Sequence, residues 1–262
     1  MTMKYRIADA SGLINNEDPR KIIRFWDDFL GYSVSATAGT NPWLATVIGA
    51  ASAATVYAGV DASQELTGGW VALTPDATAA DTVNLTLQGQ MFQIDQGKPL
   101  YFEARIYTPD ISDIDGWVGL TGSSPDTEII AGGINDAAMG FEWTGADGIL
   151  AFVTDQGGSE KTAATGDVMA DGDIWKLAMY YDGADTIYFY TAECSASEAA
   201  QKSKSGELVC VGTRKLSTTA DYCPEDKMLT PTIEAQGNPT GACDPLCVDY
   251  VLCVQQRTQT LE

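Results

Sequence analysis

The chain of 262 residues contains no histidine. That absence removes the side chain that most often serves as a general base near neutral pH, and with it the usual Ser-His-Asp and Cys-His nucleophile arrangements. It also removes the commonest metal ligand, and the six cysteines include no C-x-x-C pair, so a zinc site is disfavoured. Any catalysis would have to run on carboxylates. Charge is scarce and one-sided: 19% of residues are charged, with 15 Lys and Arg against 36 Asp and Glu, a net charge of −21. Nucleic-acid affinity comes from Lys and Arg neutralising phosphates, so this balance argues against a nucleic-acid partner. No stretch reaches the ~18 consecutive apolar residues of a membrane span. The opening MTMKYR lacks the apolar segment of a signal peptide, which predicts synthesis in the cytosol and no membrane partner.

What the chain does contain is a succession of short alternating segments divided by turn signals. The clearest runs from Asp173 to Thr191: Trp175, Leu177, Met179 and Tyr181 share one face, Ile187 and Phe189 share another, and Asp182-Gly183 falls between them. Period-two alternation around a Gly-containing turn predicts a β-hairpin. A lone hairpin is only marginally stable in water, so other strands must pack on it. Further strands are expected at 43–48, 69–73, 82–87, 100–108, 116–121, 138–143, 148–154, 207–215 and 246–255. A helical turn is expected between Asp18 and Phe25, with Pro19 near its start, and residues 49–59 suit either a helix or a strand pair. Many antiparallel strands without a long helix predict an all-β sandwich or barrel. No repeat or low-complexity linker divides the chain, which reads as an arm, residues 1–24, and one sandwich domain, residues 25–262.

Asp27-Asp28-Phe29, followed by YFEARI, GWVGL, DIWKLAMYYDGADTIYFY and VDYVLCV, resembles in order and spacing the strands of concanavalin A-like or laminin G-like jelly-roll domains over roughly residues 25–256. The resemblance implies an antiparallel two-sheet jelly-roll sandwich. Domains similar to this one are frequent in virion proteins of tailed bacteriophages. By that resemblance the expected function is structural: a capsid decoration or cement protein, made in the host cytoplasm and placed on the capsid exterior. Its expected partners are the major capsid protein and further copies of itself. The alternative is the carbohydrate-binding domain of a tail fibre or host-attachment protein, with a host glycan as ligand. Lys4, Arg6, Arg20, Lys21 and Arg24 meet only three carboxylates before residue 25, a local charge of +2 that leaves −23 for the remainder. A basic arm on an acidic body is the candidate capsid contact.

All six cysteines, Cys194, Cys210, Cys223, Cys243, Cys247 and Cys253, fall in the last third of the chain. Three disulfides would allow fifteen connectivities. In the closing strand Val248, Tyr250, Leu252 and Val254 form one apolar face and Cys247, Asp249, Val251 and Cys253 the other. Strand geometry separates Cys247 from Cys253 by ~20 Å, far beyond the ~7 Å that a disulfide spans between Cα atoms. Each is therefore expected to pair within 194–243, stapling the polar loops to the sheet, with oxidation following release of the particle from the reducing cytosol. Plain buried thiols are the other reading.

Jelly rolls include glycoside hydrolases that use two carboxylates flanking the scissile bond. The compact E-x-D-x-x-E strand of the retaining enzymes similar to this fold is absent. Glu103 stands alone in its strand and Glu142 lies beside Trp143. No catalytic residue and no enzyme activity are expected. Nor is a cofactor, apart from a Ca²⁺ candidate at Asp110, Asp113 and Asp115, whose other reading is a polar turn. Trp70, Trp117, Trp143 and Trp175 are expected mostly in the core, with sugar stacking as the alternative for any one of them. Asn84-Leu85-Thr86 matches the glycosylation pattern and reads as strand.

Overall fold

The computed structural model describes residues 21–29, 42–48, 55–58, 69–75, 81–112, 114–122, 129–130, 137–194, 206–237 and 243–257. In chain order the strands are β1 (Ile22–Asp27), β2 (Trp43–Ile48), β3 (Thr55–Ala58), β4 (Val71–Thr74), β5 (Thr82–Leu87), β6 (Phe92–Gln93), β7 (Leu100–Thr108) and β8 (Ile114–Thr121). They continue as β9 (Ala138–Trp143), β10 (Ile149–Asp155), β11 (Glu160–Val168), β12 (Asp173–Tyr181), β13 (Thr186–Cys194), β14 (Val209–Lys215), β15 (Met228–Gly237) and β16 (Leu246–Gln256). A 3₁₀ turn at Thr219–Asp221 is the one helical element among the described residues.

The strands form two antiparallel sheets. Sheet A has the order β14-β13-β12-β7-β16-β4-β3, with β1 also pairing to β16. Sheet B has the order β11-β10-β9-β8-β15-β5-β2, with β6 also pairing to β15. In both sheets a late strand joins the early strands to the middle ones: β16 lies between β7 and the β1 and β4 pair, and β15 between β8 and the β5 and β6 pair.

Between the sheets lies one core. Phe102, Leu177, Met179, Phe189, Val251 and Cys253 from sheet A meet Val83, Leu85, Val118, Phe141, Phe152 and Ile233 from sheet B. Phe189 ties the layers together, edge-on to Phe141 at 5.7 Å and stacked with Phe152 at 4.8 Å. Gly212 stands where a Cβ would lie 2.2 Å from the Phe152 ring, so only glycine lets β14 close over that ring.

The predicted hairpin is β12 and β13, in register from Ile174 opposite Cys194 to Tyr181 opposite Ile187. Its turn is held by Asp182, whose Oδ1 accepts the backbone N–H groups of Ala184, Asp185 and Thr186 at 2.9, 3.0 and 3.1 Å. Gly183 takes φ 77°, where an L side chain is strained and a Cβ would also strike Pro99. Where a helical turn was expected toward Phe25, the chain is already strand β1, paired to β16 from Ile22 opposite Gln256 to Asp27 opposite Val251. Pairing to an open edge overrides a weak local helical preference. Arg24 thus lies inside the sandwich's first strand.

The parity expected for the closing strand changes at a β-bulge. Val248 is opposite Ile106 and Tyr250 opposite Arg105, so Asp249 is the extra residue. Before it Cys247 faces outward; beyond it Val251 and Cys253 face the core while Tyr250, Leu252 and Val254 face outward. Cys247 and Cys253 therefore do not share a face, as an uninterrupted alternation required. All six cysteines are thiols, and no disulfide joins any of them, contrary to the stapled loops expected from the sequence. The register supplies the reason for one plausible pair. Cys247 and Cys194 are linked through Tyr107 and Ile174, three strand spacings or ~14 Å apart, too far to bridge.

Candidate functional site

The outer face of sheet B is polar but internally satisfied. One register row crosses it through Asn84, Glu234, Trp117 and Glu142. Glu234 is fully buried, and its carboxylate accepts from the backbone N–H of Ile129 at 2.9 Å, the N–H of Ile130 at 2.9 Å and the Asn84 amide at 3.0 Å. Ile129 in turn packs on Trp117, Ala138 and Val153. Glu234 therefore fastens Ile129 and Ile130 over the sheet. Glu142 is pushed up to about 7 by burial and, secondarily, by the nearby Glu160 charge. The Thr162 hydroxyl lies against both of these carboxyl groups.

Sheet A presents a different outer face, rich in aromatic side chains. Tyr101, Tyr180, Tyr188 and Tyr190 form a buried patch with Ile22, Leu252 and Val254. Beside it runs a half-buried charged belt. Both oxygens of Glu103 accept phenol hydroxyls, one from Tyr101 and one from Tyr250. Burial, with the Glu103 charge next, raises both phenols well above the ordinary tyrosine range, so they stay protonated and donate. Arg105 pairs with Asp249 at 2.7 Å, and its guanidinium stands 5.6 Å from the centre of the Trp70 ring. The bulge in β16 makes this belt: it sets Asp249 and Tyr250 together against Arg105, so that one reaches the guanidinium and the other reaches Glu103.

Trp26 completes the arrangement. It projects from β1 in the same register row as Leu252 and Glu103. Its ring stacks on Tyr250 with centroids 5.0 Å apart and planes inclined by 21°. At 49% exposure its indole is open to solvent. An exposed indole beside two carboxylates, two phenols and a guanidinium offers an apolar plate with donors and acceptors at its rim. That is the chemistry of a surface that binds a molecule with one apolar face and many hydroxyls.

Several expected sites fall elsewhere. Lys4, Arg6, Arg20 and Asp113 lie outside the described residues. Asp110 accepts from the backbone and hydroxyl of Ser112, while Asp115 accepts from the Gly145 N–H of the β9–β10 turn at 2.6 Å, so the two carboxylates serve separate backbone segments. Among the described residues no cluster of carboxylates or thiols could hold a metal ion. Trp70, Trp117, Trp143 and Trp175 are all buried, which leaves none of the four named from the sequence as an open plate. Asn84 is buried in β5 and bonded to Glu234, as its reading as strand requires. The useful residues, Trp26 and Tyr250, carried only weak signals. Trp26 opens the sandwich directly after residues 1–24, which show no clean periodicity, and the bulge that orients Tyr250 has no sequence signature.

Two antiparallel sheets packed face to face in this order define an all-β, concanavalin A-like jelly-roll sandwich. No family model and no curated protein matches the chain. Solved structures do. A protein of unknown function from Shewanella oneidensis MR-1 is 11% identical at a TM-score of 0.57, with 99% of each chain covered. An endo-1,3-beta-glucanase from Streptomyces sioyaensis is 14% identical at 0.57, covering 93% of this chain and 99% of its own. The carbohydrate recognition domain of Emp47p is 10% identical at 0.55, covering 93% and 100%. At these identities the likeness is one of fold.

Proposed function

We propose that this protein is a non-enzymatic carbohydrate-binding domain whose site is the outer face of sheet A. The observation that carries this reading is Trp26, half exposed and stacked on Tyr250 at the rim of the Glu103, Arg105 and Asp249 belt. A pyranose ring would lie on the indole and donate its hydroxyls to the lone pairs that the Glu103 and Asp249 carboxylates still offer. A peanut lectin and the carbohydrate recognition domain of Emp47p, which share this fold, support the reading. Binding without hydrolysis fits the state of the carboxylates. On this face Glu103 is held by two phenols and Asp249 by Arg105, so these two carboxylates are already engaged and are not set as an acid and base about a glycosidic bond.

A host-attachment protein, one of the two settings expected from the sequence, would use such a site directly. Capsid decoration rests on the N-terminal cations, of which Lys21 and Arg24 fall among the described residues. The test is a glycan array probed with the full chain and with Trp26→Ala. The variant should lose retention by about tenfold or more, the usual weight of a ring-stacking contact, while its thermal unfolding stays near that of the parent because the indole is half exposed. Retention that ignores Trp26 would remove this face from consideration.

A further inference from the structure

The two outer faces carry opposite charge. Register places Asp115, Glu142, Asp155, Glu160 and Glu234 on the outside of sheet B, with no Lys or Arg among the described residues of that face. On the outside of sheet A it places Arg24, Arg105, Lys176 and Lys215 against Glu103 and Asp249. In a chain of net charge −21 this is a local reversal, and Arg24 and Arg105 bring it to the neighbourhood of Trp26. A field of that sign draws anions toward this face and away from the other.

Arg24 gives the reversal a specific use. It lies two residues before Trp26 on β1, so the two side chains leave the same face with Cβ atoms roughly 7 Å apart. Arg105 is committed to Asp249, whereas Arg24 is exposed and makes no ion pair among the described residues. A sugar ring seated on the indole would bring a ring substituent within reach of a guanidinium able to bind a carboxylate or sulfate with two parallel hydrogen bonds.

Resting on the carbohydrate-binding reading, we infer that the site selects acidic glycans: pyranosides bearing a carboxylate or sulfate, with the ring on Trp26 and the anion on Arg24. The experiment is an array carrying sialylated, uronic and sulfated glycans beside their neutral counterparts. It is probed with the full chain, Arg24→Gln and Trp26→Ala at 50 and at 500 mM NaCl, conditions that differ several-fold in screening length. Near-UV circular dichroism checks that the variants keep the fold. The expected result is retention by the anionic members alone, weakened about tenfold by Arg24→Gln and by high salt, and abolished by Trp26→Ala. Retention by neutral glycans that needs Trp26 but not Arg24 would overturn the acidic selectivity and leave the site standing. Anion binding indifferent to Trp26 would overturn it as mere surface attraction. No retention by any glycan would overturn both readings.

Discussion

Glu142 is held in a place that opposes its ionisation. Burial and the neighbouring Glu160 raise it from 4.5 to about 7, so the folded chain keeps a proton that the unfolded chain releases. Its contribution to stability is therefore fully present below pH 4.5 and is lost as pH rises through 7. Glu142→Gln, which cannot ionise, should raise the melting temperature at pH 8 and change it little at pH 4.5; thermal scans across that range check the sign. The thiols belong to the same scale. Burial pushes Cys223 up to about 12 and Cys253 well above its ordinary value, and raises Cys194 and Cys210. Thiols in that state are poor nucleophiles and resist oxidation. The unfolded protein should titrate as six thiols with Ellman's reagent, and a reducing agent should leave the melting temperature unchanged, since no disulfide contributes. A drop in melting temperature on reduction would restore the stapled-loop expectation.

At the scale of elements, legibility tracks burial on one face. The β12 and β13 hairpin, β5, β7 and β9 stand where alternating apolar residues placed them, because each lays one clean face on the core. β11 was not foreseen, since its sequence EKTAATGDV lies at the sheet edge, is largely exposed and needs no apolar alternation. β15 was missed for the opposite reason. It is central, yet TPTIEAQG includes a proline and a glutamate, both of which normally argue against a central strand. Pro231 is tolerated where β15 passes from its β6 partner to its β5 partner, with Leu120 opposite it on the other side. Glu234 is tolerated because three donors meet it. Glu234→Ala would strand those donors in a buried place, each costing about 1–3 kcal/mol. The loss should exceed about 3 kcal/mol in urea unfolding, whereas Glu234→Gln, which keeps an acceptor oxygen, should lose less.

At the scale of the whole molecule, the sandwich class was legible and the site was not. Strand count and order point to a jelly roll, because two layers are the stable way to bury so many half-apolar strands. The binding face depends on which strands become neighbours. Trp26 meets Tyr250 and Arg105 meets Asp249 only because residues far apart in sequence pair through β16, and a bulge then turns two side chains toward the belt. That same placement of β15 and β16 has a consequence for how the chain is made. Among the described residues, the strands before β7 are joined to the rest of each sheet through residues 228–237 and 246–256. Until the ribosome has released that C-terminal pair, neither layer has its middle, and the emerging polypeptide holds two unfinished half-sheets with open edges. Folding must then wait until residues 228–256 have emerged, and a chain interrupted anywhere before residue 228 would be left as a substrate for chaperones and proteases.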